Sequence, residues 1–296
     1  MKATTGVDAK AVNFRNEHIL YVEGNQESID VEVLKDFLSN IWIQPLGMAS
    51  SITSVARSLY PTHPNYYFLI DRDHHVSDKK IEEYWTNFPD PNTSNLLVWR
   101  RRELENYFLE PAFLLGSGYC KEDFKKNNGQ LLREKILSLA TERLYLDVAN
   151  YVIVSLREDF KETWIEKFKK NSDFPDKKTA LEQLTQKQEF RSFSKKVSQR
   201  TTEEEIVARF QKYLDKMTGG KEPLQWGIGE WLNMISGKEI FHPLVNLCFR
   251  VKNQEKKTLQ GKEARNLVVR ELLQKKQNLP SDFLKLKELI DKRVRG

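Results

Sequence analysis

Residues 66–73 read YYFLIDRD, a strand pattern that ends in acidic residues. Five apolar or aromatic residues form one unbroken run, and Asp71, Arg72 and Asp73 follow it without a spacer. A continuous apolar run, rather than an alternating one, is typical of a strand in a parallel sheet that helices cover on both faces. The sequence therefore predicts that the two aspartates stand at the carboxyl end of a buried strand.

Similar apolar runs precede and follow this strand, and helical patterns separate them. The other strand patterns are 18–22 (HILYV), 41–43 (IWI) and 95–99 (NLLVW), and the helical patterns are 28–38, about 50–59 and about 78–85. Short strands that alternate with amphipathic helices are typical of crossover connections in a parallel sheet. We therefore predict a small doubly wound α/β sheet of about four strands at the N-terminus.

The pattern changes after about residue 104 to long amphipathic segments rich in Lys and Glu. Breaks are predicted at 116–118, 172–175, 219–220 and Pro280, where Gly, Ser or Pro interrupt the helical periodicity. We predict an α/β catalytic domain over residues 1–115. A mostly helical domain over 116–296 would provide substrate, partner or dimerisation surfaces.

Composition narrows the class of protein. The chain has 296 residues, is 39% hydrophobic and 30% charged, and carries 48 Lys and Arg against 42 Asp and Glu, a net charge of +6. That excess suits a polyanionic partner without requiring one. No apolar stretch approaches the roughly 20 residues of a membrane-spanning helix, and the first ten residues lack the apolar core of a secretory signal. A cytoplasmic protein without membrane contact is expected.

Acidic residues gather where the predicted strands end. Glu23 ends the first strand, Glu27 follows within a turn, and Asp71 and Asp73 end the third. In open parallel sheets the working residues lie beyond the carboxyl ends of the strands. Carboxylates packed closely there repel one another unless a cation lies among them, and Mg²⁺ prefers such oxygen ligands together with water and substrate phosphate.

Mg²⁺ held in that way activates water and stabilises charge on phosphoryl oxygens, so phosphodiester cleavage is the predicted use. The competing interpretation is structural, since an acid after a strand is often a helix N-cap, and Asp73 or Asp78 could cap the next helix. ATP hydrolysis is not predicted. Gly237-Lys238 is followed by Glu239 and lacks the earlier glycine of a phosphate-binding loop.

Two groups of motifs resemble a known family. Residues 20–24 (LYVEG) followed by 70–73 (IDRD) resemble the TOPRIM fold of topoisomerases, primases and OLD-type nucleases. Residues 98–111 (VWRRRELENYFLEP), with the later 237–239 (GKE), are similar to the TOPRIM proteins that accompany OLD-like ATPases in bacterial defence loci, the effectors of PARIS anti-phage systems. No tyrosine stands out as a DNA-linking nucleophile and there is no zinc ribbon, so the topoisomerase and primase branches are not favoured.

The resemblance implies roles for individual residues. Glu23 would be the catalytic acid or base, Asp71 and Asp73 metal ligands beside it, and Glu27 an additional ligand, with Mg²⁺ or alternatively Mn²⁺ bound. Lys238 resembles the late lysine that OLD-type nucleases bring to the scissile phosphate. Its other interpretation is an ordinary solvated lysine.

Residues near the fourth strand are open to two interpretations each. Arg100 and Arg102 are predicted to contact substrate phosphate, because a planar guanidinium suits that ligand; a structural ion pair with Glu103 or Glu105 is the alternative. Glu105 and Asn106 could support the metal site from behind its ligands. They could equally anchor the helix that begins there.

The family resemblance implies a Mg²⁺-dependent endonuclease that acts as a toxic effector against phage. The substrate would be host RNA, tRNA in particular, and an OLD- or ABC-type ATPase (AriA-like) would hold the chain until infection releases it as an active homodimer. Two alternatives stay open: a DNA nuclease of the OLD type, and a non-catalytic TOPRIM regulatory or binding subunit. The residues themselves do not separate RNA from DNA.

Overall fold

The structure is a computed structural model. It describes residues 18–60, 62–72, 77–88, 95–161, 176, 178–179, 181–182, 188–252 and 257–295. Two predicted features, Asp73 and the break at 172–175, lie outside these residues. Every other residue predicted for the site is described.

Four strands form one parallel sheet. They are β1 (Ile19–Val22), β2 (Trp42–Pro45), β3 (Tyr66–Ile70) and β4 (Leu96–Val98), in the order β2-β1-β3-β4. Three helices lie between successive strands: α1 (Ile29–Phe37), α2 (Ala49–Leu59) and α3 (Asp78–Asn87). The predicted N-terminal parallel sheet flanked by helices is confirmed.

Strand burial explains why the apolar runs are continuous. Every residue of β1, β3 and β4 is buried, as expected when helices cover both faces of a parallel sheet. In the register, Val22 lies opposite Leu69, and Ile70 lies opposite Val98. The residues that follow β1 and β3 therefore emerge side by side at one edge of the sheet.

The remainder of the described chain is mostly helical, as predicted. After a 3-10 helix (Leu104–Leu109) come α4 (Pro111–Leu114), α5 (Glu122–Lys161), α6 (Gln188–Arg200), α7 (Glu203–Thr218), α8 (Trp231–Met234), α9 (Gly237–Cys248), α10 (Gly261–Lys275) and α11 (Ser281–Arg295). Gly219 ends α7 in the left-handed conformation, and Pro280 directly precedes α11, so these two breaks are confirmed. No helix within the described ranges has the length and apolar character needed to cross a membrane.

The chain divides into two compact units, and the division differs from the predicted boundary after residue 115. One unit joins the chain up to Glu142 with Trp231–Gly296, and the other is Arg143–Glu230. In the first unit α9 packs on the 3-10 helix and α10 packs along α1. All predicted site residues that the structure describes belong to this first unit.

An aromatic cluster joins α11 to the sheet in the first unit. The Phe283 ring lies 5.4 Å from Trp99, 5.6 Å from Tyr107 and 5.3 Å from Phe37, measured between ring centroids. Phe283, Trp99 and Tyr107 are all buried, and burial of such large side chains contributes most of a core's stability. Helix α11 is therefore part of the core that packs against the N-terminal sheet.

The second unit has its own charged centre. The Arg209 guanidinium donates hydrogen bonds to the carboxylates of Asp159 (2.5 Å) and Glu205 (2.8 Å) and to the Ser155 hydroxyl (3.0 Å). Tyr151 and Tyr213 pack with ring centroids 5.3 Å apart. These contacts tie α5 to α7 within this unit.

Candidate active site

The site lies where the strand order reverses. The chain passes from β1 outwards to β2 and then returns to place β3 on the other side of β1. A crevice opens beyond the carboxyl ends of the two strands at such a switch point, and ligands of open α/β sheets bind there. Glu23 directly follows β1 and Asp71 directly follows β3.

Backbone pairing holds Asp71 in place beyond the last residue of its strand. The Trp99 N–H donates to the Ile70 carbonyl (3.0 Å), and the Arg72 N–H donates to the Arg102 carbonyl (3.1 Å). Asp71 is half-buried as a residue, but its Oδ1 is shielded from solvent and has no hydrogen-bond partner among the described residues. A buried carboxylate oxygen without a partner is costly, so it marks a place where a ligand would stabilise the fold.

A tight turn brings α1 to the same edge of the sheet. Gly24 has φ +98°, and a side chain there would come within 2.7 Å of Ser28, so only glycine fits between Glu23 and the helix. Asp30 lies in the first turn of α1, where the helix dipole favours a negative charge. The turn thus places Asp30 near Glu23.

The carboxylates at this edge perturb one another. Burial, followed by the charges of Asp30 and Glu23, raises the pKa of Asp71 well above its usual range. Burial is also the largest cause of the raised pKa values of two other acids. The pKa of Asp30 rises to about 7, and that of Glu105 rises to about 8. Such shifts are expected when several carboxylates share a crevice with low dielectric.

The 3-10 helix after β4 brings two further acids to the site. Glu103 caps this helix, while the Asn106 side chain accepts a hydrogen bond from the Glu103 N–H (3.0 Å). The Glu103 carboxylate also accepts hydrogen bonds from the Ser236 hydroxyl (3.2 Å) and the Lys238 N–H (3.0 Å). Glu103 therefore joins the 3-10 helix to the start of α9.

Asn106 is a fully buried amide that fixes the segment before α9. Its Nδ2 donates to the Leu232 carbonyl (2.9 Å) and the Ile235 carbonyl (2.8 Å). Gly237 lies against it so closely that a side chain at Gly237 would come within 2.5 Å of Asn106. Of its two sequence interpretations, these contacts match the anchoring role.

Lys238 lies among the acids. Its Nζ is 3.2 Å from Glu103 Oε1. Burial lowers the pKa of Lys238, but the negative charges of Glu103, Glu105 and Asp71 outweigh it and the net shift is upward. The side chain is half exposed, so a charged ammonium group can reach both the acids and an incoming ligand.

These residues form what we call the rim cluster: Glu23, Asp30, Asp71, Glu103, Glu105 and Lys238. Within the described part of the chain, no three Asp, Glu, His or Cys side chains are assembled into a ready metal site. Mg²⁺ needs only one or two carboxylates and takes its other ligands from water and substrate phosphate. The rim cluster matches that smaller requirement.

One predicted ligand that the structure describes, Glu27, does not join the rim cluster. Glu27 is exposed, and its carboxylate lies 3.4 Å from the Lys262 ammonium. Asp73 falls outside the described residues. Asp30, which sequence reasoning missed, lies beside Asp71 instead. Its signal was its position in the first turn of the helix that follows β1, since that turn begins at the same edge of the sheet.

The arginines after β4 have protein partners. Arg100 pairs with Glu82 (2.7 Å) and Asp282 (2.7 Å) and lies over the Trp85 ring at 4.3 Å. The guanidinium of Arg102 lies 3.9 Å from the Glu103 carboxylate and donates to the Met234 carbonyl (3.3 Å). Both side chains therefore form ion pairs, which was the alternative to phosphate binding. Arg102 pairs with the predicted Glu103, whereas Arg100 pairs with Glu82 and Asp282 instead of Glu103 or Glu105.

Comparison with known proteins adds no relative. No protein-family model matches the chain, and a search of curated proteins returns no match.

Proposed function

We propose that the chain is a Mg²⁺-dependent nuclease that hydrolyses phosphodiester bonds at the rim cluster. The observation that carries the proposal is the Asp71 carboxylate, which lies at the switch point of the sheet with a buried oxygen that has no hydrogen-bond partner among the described residues. A cation held by Asp71 and one neighbouring carboxylate, Asp30 or Glu23, with water and substrate phosphate as its other ligands, would supply the missing partner.

The donor set suits Mg²⁺ or Mn²⁺. All the candidate ligands are carboxylate oxygens, which hard divalent cations prefer, and three of the acids have pKa values raised by burial and mutual repulsion. A divalent cation relieves both effects. When bound, it supplies Lewis-acid stabilisation of phosphoryl charge and a more acidic water.

The chain's own residues contribute positioning and proton transfer. The Lys238 ammonium, held 3.2 Å from Glu103, is placed to bind a non-bridging phosphate oxygen. Glu23 lies at the end of β1, where it can accept a proton from the attacking water, as the TOPRIM resemblance implies. Glu105, with a pKa near 8, holds a proton at neutral pH until a cation approaches.

The finer parts of the proposal rest on the motif resemblance. The chain resembles AriB, the effector of the PARIS anti-phage system. The proposed substrate is therefore host tRNA, and the proposed regulator is an OLD- or ABC-type ATPase. Release from that ATPase would allow an active homodimer to form.

Cleavage assays test the central proposal. Wild type, Glu23→Gln and Asp71→Asn would be incubated with tRNA and with duplex DNA, with Mg²⁺ and with EDTA. Loss of a bound metal or its ligand removes about 4 kcal/mol of transition-state stabilisation, so each variant should be roughly a thousandfold slower. Asp36→Asn, which alters an exposed carboxylate paired with Arg270 at 2.6 Å, is the matched control and should cleave like wild type.

Two other outcomes of these assays would change the proposal. Preferential cleavage of duplex DNA would keep the nuclease and replace RNA as its substrate. If wild type were inert on both nucleic acids with Mg²⁺ and with Mn²⁺, the nuclease proposal would fail and a binding or regulatory subunit would take its place.

A further inference from the structure

One arginine of the first unit has a different environment from the paired arginines around it. Arg265 lies one turn into α10 and is half-buried, yet it forms no hydrogen bond or close ion pair with any residue that the structure describes. Burial lowers the pKa of its guanidinium, and the negative charge of Glu105 partly offsets that shift. A partly desolvated guanidinium with no close partner is costly unless an anion binds to it.

The neighbours of Arg265 on α10 show where it lies. Toward α1, the Lys262 ammonium lies 3.4 Å from the Glu27 carboxylate, and Asn266 donates a hydrogen bond to Glu32. Toward α9, the Gly261 N–H donates a hydrogen bond to the Asn246 side chain (3.4 Å). The first turns of α10 are thus held between the start of α1 and helix α9. Both of those helices begin at the rim cluster.

Helix α9 places Lys238 and His242 on the same side of the rim cluster as Arg265. His242, one turn after Lys238 on α9, has its Nε2 4.0 Å from Glu105 Oε1. Burial, followed by the charge of Arg265, lowers the pKa of His242, so Arg265 lies close enough to His242 and Glu105 for their charges to interact. Lys238 and Arg265 therefore present two cations on the α9–α10 side of the acids.

We infer that Arg265 is a substrate-binding residue, which contacts a phosphate of the nucleic-acid strand on the α10 side of the rim cluster. The inference rests on the proposed function. A polyanionic strand approaching five carboxylates needs compensating positive charge, and a guanidinium binds phosphate oxygens through two parallel hydrogen bonds. Arg265 is suited to this role because it has no carboxylate partner to give up.

Binding measurements test Arg265 without relying on cleavage. Fluorescently labelled tRNA would be titrated with the Asp71→Asn protein, which should not cleave it, with and without Arg265→Ala. Salt would be varied from about 50 to 200 mM. Loss of one phosphate contact should weaken binding about five- to tenfold and reduce the slope of log Kd against log salt by about 1. Arg270→Ala on the same helix, which removes an arginine already paired with Asp36, is the matched control and should change neither quantity.

Two further measurements keep the result decisive. Circular dichroism and the urea midpoint would verify that each variant folds. The Arg265→Lys variant keeps the charge but loses the planar pair of donors. It should therefore retain the salt slope and lose part of the affinity. An unchanged Kd and slope in Arg265→Ala would overturn the inference even if wild type cleaves RNA. Weaker binding and a smaller salt slope in Arg265→Ala would support the phosphate contact even if wild type cleaved no nucleic acid. That second result would reject the nuclease proposal alone.

Discussion

Two charged groups lie at the same edge of the sheet and differ in how their charges are balanced. The first is the rim cluster. The second, which we call the Arg100 network, comprises Arg100, Glu82, Asp282, Tyr107 and Trp85. In the Arg100 network each carboxylate meets a donor, since Asp282 accepts from Arg100 (2.7 Å) and from the Tyr107 hydroxyl (2.7 Å). In the rim cluster Asp71 keeps a buried oxygen without a partner.

The difference separates a structural role from a functional one. Both groups contain several acids and at least one arginine or lysine. Fully paired charges stabilise a fold without needing anything else, whereas carboxylates with raised pKa values are retained at a cost that a ligand can offset. The candidate active site is therefore distinguished by a buried carboxylate oxygen that has no hydrogen-bond partner among the described residues, and not by its number of acids.

Removing one carboxylate from each group should have opposite effects on stability. Asp282→Ala leaves Arg100 and Tyr107 without their shared acceptor, so the free energy of unfolding should fall by about 2–3 kcal/mol. Asp71→Asn should not lower it at pH 7, because the folded state then no longer holds a carboxyl group whose pKa is raised. Urea denaturation of both variants measures the difference. Equal losses would mean that the rim cluster is as fully paired as the Arg100 network.

The pH dependence of Mg²⁺ binding should sharpen the contrast. The pKa of Asp30 is about 7 in the folded protein, above its unfolded value. Stability is therefore lost as pH rises from about 4 to about 7, and a bound cation should restore it.

Because the ionised fraction of such a group rises about tenfold between pH 6 and pH 8, Mg²⁺ affinity should rise about tenfold, about 1.4 kcal/mol. Calorimetric titration at both pH values, with Asp30→Asn as control, measures this. A pH-independent affinity in wild type would contradict the assignment of Asp30 to the metal site.

The smallest effect is expected at Glu27. Its carboxylate is exposed and pairs with Lys262, and exposed ion pairs contribute little. Glu27→Gln should change the Mg²⁺ binding free energy by less than about 0.5 kcal/mol, and Asp30→Asn should change it by more. The reverse order, measured in the same calorimetric titrations, would restore Glu27 as the ligand and remove Asp30.

Much of the fold could be predicted from the sequence, because the apolar runs that become β1, β3 and β4 have the continuous pattern of strands buried on both faces. The ends of those runs also located Glu23 and Asp71. Asp30 was missed because the turn at Gly24 decides which acid of the following helix faces the sheet edge. The partners of Arg100 were missed for a similar reason, since Asp282 is remote in sequence.

Local hydrophobic periodicity is enough to predict the parallel sheet, the helical remainder and the acids at the strand ends, because each of these features depends on residues that are close in sequence. The packing of distant segments brings Glu103 and Arg265 near those acids, which no sequence pattern predicted, and it places Lys238, which the motif resemblance assigned to the site, beside Glu103. Their elements meet because α9 packs on the 3-10 helix and α10 packs on α1. Contacts between such distant segments depend on side-chain packing, which no local pattern encodes.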